Sequence, residues 1–172
     1  MPTEFRQRPE FRRGRAGEQI VAEWLKRRDC YVIPSYDYGG EDGDKAPKLQ
    51  GLWTGYPVPD LDVCRNGNRF WVEVKTKREA TFTRITGTYD HGINFRLVQH
   101  YRTVQAISGC PCWIFIYEEV SSWLLGQLLD ILGEPRTATS LGTRMAYWPR
   151  ASFRELEQID ASALSANEGR DA

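Results

Sequence analysis

The chain has 172 residues, 23 basic and 23 acidic side chains, no net charge, 41% apolar residues and 27% charged ones. That length and balance predict one domain with a real core and exclude a disordered chain. No apolar run approaches a membrane span, and the arginine-rich start lacks the apolar segment of a secretory signal, so no membrane association and a cytoplasmic location are expected.

In chain order, residues 1–10 read as a mobile basic arm, 11–160 as the domain and 161–172 as a frayed tail rich in Ala, Ser and acids. From about Gly14 the spacing of Gly17, Ile20, Val21, Trp24, Leu25 and Arg28 marks one face of a helix, with Glu18 on its flank at the edge of the core. Cys30 to Pro34 reads as a short strand ended by proline. Tyr36 to Pro57 is rich in Gly, Pro, Asp and Lys and reads as a long loop whose aromatics pack over the sheet, with stacking on bases as the alternative.

The stretch Pro59 to Lys77 carries the most chemistry. Asn66-Gly67 tolerates the positive φ of a type I′ turn, and apolar runs on either side predict an antiparallel hairpin. Side chains alternate along strands, so Asp60 and Asp62 share one face, Trp71, Glu73 and Lys75 share one face, and Phe70, Val72 and Val74 take the other. The plainest account is a solvated outer face with a cross-strand ion pair. Carboxylates converging from adjacent strands repel one another, however, unless a hard cation such as Mg²⁺ sits among them.

After the hairpin, Thr76 to Gly92 reads as a loop bearing Lys77, Arg78, Arg84 and His91, suited to touching substrate. A helix follows from about Ile93, with Leu97, Val98, Tyr101, Val104 and Ile107 toward the core, Arg96, Gln99 and Arg102 at its margins, and Ser108-Gly109 as its stop. Cys112 to Tyr117 is a continuous apolar run, as in a strand covered on both faces. Trp123 to Leu132 reads as a helix or a strand leading into one, Met145 to Trp148 as an edge strand, and Phe153 to Ile159 as a last helical turn or two. The four cysteines, Cys30, Cys64, Cys110 and Cys112, lack C-x-x-C spacing, which argues against zinc and for small buried side chains.

Pro59-Asp60 followed by Glu73-Val74-Lys75 resembles the signature of the PD-(D/E)xK nuclease superfamily. The wider run from Lys45-Ala46-Pro47 to His91-Gly92-Ile93 is similar to its Holliday-junction-resolvase-like and phage-associated members. The resemblance implies an α/β, single-domain restriction-endonuclease-like fold, with an α-β-β-β-α-β core and a central mixed sheet flanked by helices. It also implies a divalent-metal-dependent nuclease hydrolysing phosphodiester bonds in DNA, serving phage or prophage DNA processing, recombination or repair. Glu18, Asp60, Glu73 and Lys75 would then be catalytic, with Mg²⁺, or Mn²⁺ in its place, held by Asp60, Glu73 and the Val74 carbonyl. Asp62 would add a ligand or bond to a neighbouring base. Arg12, Arg13, Arg15, Lys77, Arg78, Arg84 and Arg96 would meet DNA phosphates, and a homodimer stays open. The competing readings are a catalytically silent nucleic-acid-binding or assembly module of the same fold, and an unrelated α/β domain with a surface ion-pair ladder.

Overall fold

The computed structural model describes residues 8–35, 47–51 and 53–159. Helix α1 spans Pro9–Lys26, starting earlier than the apolar periodicity suggests. Pro9 at the first position has its φ already set for a helix, and Glu10 meets the positive end of the helix dipole. The last residues of the expected arm are therefore helical; residues 1–7 and the tail from Asp160 lie outside the described residues. The buried side of α1 is the predicted one: Gly17, Ile20, Val21, Trp24 and Leu25.

Strand β1 (Tyr31–Pro34) follows. Within the expected long loop, β2 (Lys48–Gln50) and β3 (Gly55–Pro57) pair as a small hairpin, while 36–46 lies outside the described residues. Strands β4 (Leu61–Arg65) and β5 (Asn68–Lys77) form the predicted hairpin, with Asn66 and Gly67 at φ 50° and 78°. Next come β6 (Thr81–Thr83), β7 (Thr88–Asn94), α2 (Phe95–Ser108) and β8 (Cys112–Glu118). Asn94 caps α2 by accepting the Arg96 N–H at 2.9 Å, and Gly109 closes it in the left-handed region at φ 67°. Strand β9 (Trp123–Leu128), a single turn α3 (Leu129–Leu132), β10 (Arg136–Ser140), β11 (Thr143–Pro149), a 3-10 turn (Arg150–Ser152) and β12 (Arg154–Gln158) complete the chain.

The main sheet has six strands in the order β1-β4-β5-β8-β9-β12, parallel between β5 and β8 and antiparallel elsewhere. A second sheet, β10-β11-β7-β6, has four. On one side of β5, α1 packs Ile20, Val21, Trp24 and Leu25 against Val72, Val74 and Phe115. On the other, Trp71, Ile114 and Ile116 meet α2 through Val98, Tyr101 and Val104, and the second sheet through Ile93, Ala146 and Trp148. Both faces of β5 are thus covered, and Glu73 is 1% exposed rather than on a solvated face.

Five expectations change. Thr76 to Gly92 is strand and turn, not loop, because β7 is sandwiched between β6 and β11. The Met145 to Trp148 segment is an inner strand for the same reason: β10 and β7 flank it. Arg154 to Gln158 is a strand on the edge of β9, where cross-strand pairing overrides a helix-compatible sequence. Ile107 faces solvent at the end of α2, and Cys64 is exposed because it lies near the open turn of the hairpin.

Helix α1 crosses β5 at Gly17, where an added Cβ would lie 1.9 Å from Thr76 Oγ1. Gly17→Ala should therefore lower stability by about 1–3 kcal/mol through overpacking, more than the ~1 kcal/mol that alanine gains in a helix. Urea unfolding checks this, and Thr76→Ala in the same chain should restore much of the loss.

Candidate active site

Strands β4 and β5 pair from Arg65↔Asn68 up to Leu61↔Val72, so the next step of the register sets Asp60 opposite Glu73. The ladder stops there. In place of a strand partner, Asp60 Oδ2 accepts the Val74 N–H at 2.8 Å. The N–H and C=O of one strand residue point to the same side, so the Val74 carbonyl also faces this open end of β4.

Glu73 sits in the middle of β5. The Lys75 ammonium donates to its Oε1, while Oε2 is buried without a hydrogen-bond partner. Glu18, beside Gly17 where α1 crosses β5, has a side chain 14% exposed, and Arg15 donates to its Oε2 at 3.0 Å. Burial raises the Glu18 pKa, the Arg15 guanidinium opposes the rise, and the nearby Glu73 charge adds to it. Asp60 is pushed well above the usual carboxylate range, first by burial and then by the Glu73 charge, with Lys75 working the other way. For Lys75, burial favours the neutral amine, but the Glu73 and Asp60 charges outweigh it and raise the pKa. Lys75 is therefore an ammonium at neutral pH.

Glu18, Asp60, Glu73 and Lys75 are thus brought within one electrostatic neighbourhood. Among the described residues, no group of three or more His, Cys, Asp or Glu side chains is close enough to cage a metal by itself. Asp60 and Glu73 with a backbone carbonyl remain a suitable oxygen set for a hard cation. The unpartnered Glu73 oxygen and the high proton affinity of Asp60 both fit a missing positive charge. Asp62 is engaged elsewhere: Arg69 Nε donates to its Oδ1 at 2.8 Å while the guanidinium lies 5.2 Å from the Trp71 ring centre.

The basic residues fall into separate places. Arg12 and Arg15 line a groove of about 500 Å³ that also takes in Glu18 and Leu61. Arg13 is clamped to Glu119, its Nε donating at 3.0 Å. Lys77 is half-buried at the end of β5, and burial followed by Lys75 lowers its pKa. Arg78, Arg84 and Arg96 are exposed beyond β5, in the β6–β7 turn and in the first turn of α2.

His91, expected on a substrate loop, is buried in β7, with Nε2 at 2.9 Å from Glu118 Oε1. Arg150 Nε donates to the same oxygen at 2.9 Å, and Ser121 Oγ donates to Glu118 Oε2 at 2.8 Å. This cluster ties the second sheet to β8 beside Lys77, whose register partner is Glu118. No spacing in the sequence joins Glu118 to Arg150, so only the fold reveals the pair.

No protein-family model matches the sequence, and no curated protein matches it. Among solved structures, the Holliday junction resolvase Hjc of Archaeoglobus fulgidus, an archaeal hyperthermophile, is similar with a TM-score of 0.51 and 11% identity over 83% of this chain and 91% of that one. A nuclease from a fusellovirus is also similar, at TM-score 0.44 and 12% identity over 86% of this chain and 84% of that one. The chain has a restriction-endonuclease-like fold, similar to that of the resolvase. With the β2–β3 hairpin and the second-sheet strands β6 and β7 set aside, α1, β1, β4, β5, α2 and β8 give the expected α-β-β-β-α-β order.

The raised Asp60 pKa has a signed consequence for stability. An unfolded aspartate titrates near about 3.9. Above that pH the folded chain holds the Asp60 proton more tightly than the unfolded chain, so this residue lowers stability as pH rises, until its folded pKa is passed. Asp60→Asn keeps an acceptor for the Val74 N–H and removes the charge. In EDTA, the variant's stability advantage over wild type should grow upward from about pH 4 and then level off. Urea unfolding across pH 4–8 measures it, and an advantage that shrinks with rising pH would contradict the buried-repulsion account.

Proposed function

We propose that the protein is a divalent-metal-dependent nuclease that hydrolyses phosphodiester bonds in DNA. The observation that carries this reading is Glu73: a buried carboxylate with one oxygen on Lys75 and the other without a partner, facing Asp60 across the end of the hairpin. A purely structural ion pair gains nothing from leaving a buried carboxylate oxygen unsatisfied, which costs about 1–3 kcal/mol. A site that takes up a cation does.

Asp60, Glu73 and the Val74 carbonyl would hold Mg²⁺ or Mn²⁺. When bound, such an ion lowers the pKa of its water and polarises a phosphoryl oxygen. The chain's own residues do the rest. Lys75, kept protonated by the surrounding acids, cannot remove a proton; it donates hydrogen bonds, positioning the attacking water and offsetting charge on the phosphate. Glu18 holds Arg15 in the groove it shares with Arg12, so two guanidinium groups line the surface next to Glu18. Through these, Lys77, Arg78, Arg84 and Arg96, the protein would meet backbone phosphates with a salt-sensitive affinity. Arg13 is already neutralised by Glu119 and contributes less. Work in phage or prophage DNA processing, recombination or repair is supported by the likeness of the motif run alone, and no helix among the described residues is long and apolar enough to cross a membrane.

Cleavage of labelled duplex, single-stranded and branched DNA with Mg²⁺, Mn²⁺ or EDTA tests the reading. Glu73→Ala and Asp60→Ala should abolish cleavage, and Lys75→Ala should slow it by roughly 10²–10³-fold while metal affinity by calorimetry holds or improves. A wild-type protein that neither binds the ion nor cuts DNA would leave a silent binding module in its place.

A further inference from the structure

The β6–β7 ribbon carries an apolar surface that the nuclease reading does not use. Strand β11 pairs with β7 only as far as Pro149↔Asp90, whereas β6 pairs with β7 through Thr81↔Asp90, Phe82↔Tyr89 and Thr83↔Thr88. From Tyr89 outward the sheet is therefore a two-stranded ribbon. Its inner face is anchored: Thr88 Oγ1 donates to Asp90 Oδ1 at 2.7 Å, Thr86 and Thr88 hydroxyls lie 2.7 Å apart, and Arg136 donates to Asp90 Oδ2 at 3.0 Å. Its outer face is not. Phe82 and Tyr89 are 52% and 60% exposed with ring centres 5.3 Å apart, and Ile85 at the tip is 90% exposed.

An isolated two-stranded ribbon is marginally stable in water, and aromatic pairs on ribbons normally turn toward a core. This one holds its polar face inward through the buried Asp90 and its half-buried partner Arg136, and leaves its rings out. Three neighbouring exposed apolar side chains at one tip mark a binding surface rather than scattered surface residues. Two arginines flank it, among acids that include Glu79. Arg78 leads into the ribbon and Arg84 sits in its turn, and among the described residues neither has a carboxylate partner. The ribbon also starts where β5 ends, just past Lys75 and Lys77, and His91 of β7 lies against Glu118, the register partner of Lys77. The base of the ribbon therefore lies next to the end of β5 that carries Lys75 and Lys77.

We infer that this ribbon is a stacking platform for unpaired bases, which directs the site to DNA that is branched, splayed or single-stranded next to the scissile bond. Exposed rings stack on any base, whatever the sequence, an apolar tip wedges between unstacked bases, and Arg78 and Arg84 hold the flanking phosphates. A continuous duplex offers the rings no free base face. The inference rests on the nuclease reading for its biological use, but its test does not.

The test is binding in EDTA, by fluorescence anisotropy, to a blunt duplex and to a duplex of equal length ending in two unpaired arms. The wild-type protein should favour the splayed DNA by about tenfold or more. Phe82→Leu with Tyr89→Leu keeps apolar bulk but removes the π faces, and should cost most of that preference; thermal unfolding confirms an intact fold. The Ala pair should do the same, with the Leu pair decisive if Ala melts the ribbon. A wild-type ratio near one, or a ratio kept in the Leu pair, overturns the inference. So does a protein dimer, seen by sedimentation, that the Ala pair dissociates at unchanged ratio, since the patch then belongs to a second copy of the chain. Splayed-DNA preference without cleavage in Mg²⁺ would remove the nuclease reading and leave the platform standing.

Discussion

Burial of the Glu73 carboxylate in the centre of a sheet covered on both faces is the constraint around which the molecule is arranged. Taking such a charge out of water costs several kcal/mol, and attraction to one lysine recovers that only with good geometry and satisfied lone pairs. Here Lys75 satisfies one oxygen, and the second carboxylate, Asp60, is held close by a backbone N–H rather than by a countercharge. The fold thus keeps two acids near each other where they repel. Stability alone would select against this, and strained electrostatics of that kind cluster at functional sites.

The scaffold makes the arrangement possible by fixing three elements against β5. The β4–β5 ladder ends one residue short of Asp60, which frees its side chain to turn toward Val74. Helix α1 approaches so closely at Gly17 that Glu18 and Arg15 come to the same edge. The parallel partner β8 runs beside β5 from Trp71↔Cys112 to Lys77↔Glu118, which sets Glu73 opposite Ile114 within the sheet and brings Lys77, at the end of β5, to the edge of the second sheet.

That second sheet is secured by buried charge as well as apolar contact. His91, Glu118 and Arg150 form one cluster, and Thr88, Asp90 and Arg136 another. Each leaves its carboxylate with a guanidinium partner, and the Glu118 and Asp90 pKa values fall despite burial because of the donors around them. The contrast with Asp60, whose pKa rises under burial and the Glu73 charge, separates the acids that guanidinium donors neutralise within the fold from an acid that they do not.

Much of this was legible in the chain because it rests on local rules. Asn66-Gly67 specified a turn with both residues at positive φ, Gly109 specified a helix stop, and period-two alternation separated Trp71, Glu73 and Lys75 from Val72 and Val74. Alternation sets Glu73 and Lys75 on one strand face, but only the resemblance of Pro59-Asp60 and Glu73-Val74-Lys75 to a known motif singles out Asp60, Glu73 and Lys75; on alternation alone a surface ion pair is the plainer account. Where the outcome depended on distant partners, local pattern misled. Arg154 to Gln158 became a strand because β9 had a free edge, Met145 to Trp148 an inner strand because β7 and β10 flank it, and the Thr76 to Gly92 segment a ribbon because β11 supports its base. The sequence by itself determined which residues alternate, turn and cap, because those depend on neighbours a few positions away. Only the tertiary structure decided that Glu73 is buried, that Arg13 is already paired with Glu119, and that Phe82 and Tyr89 face outward, because each depends on how segments far apart in the chain pack together.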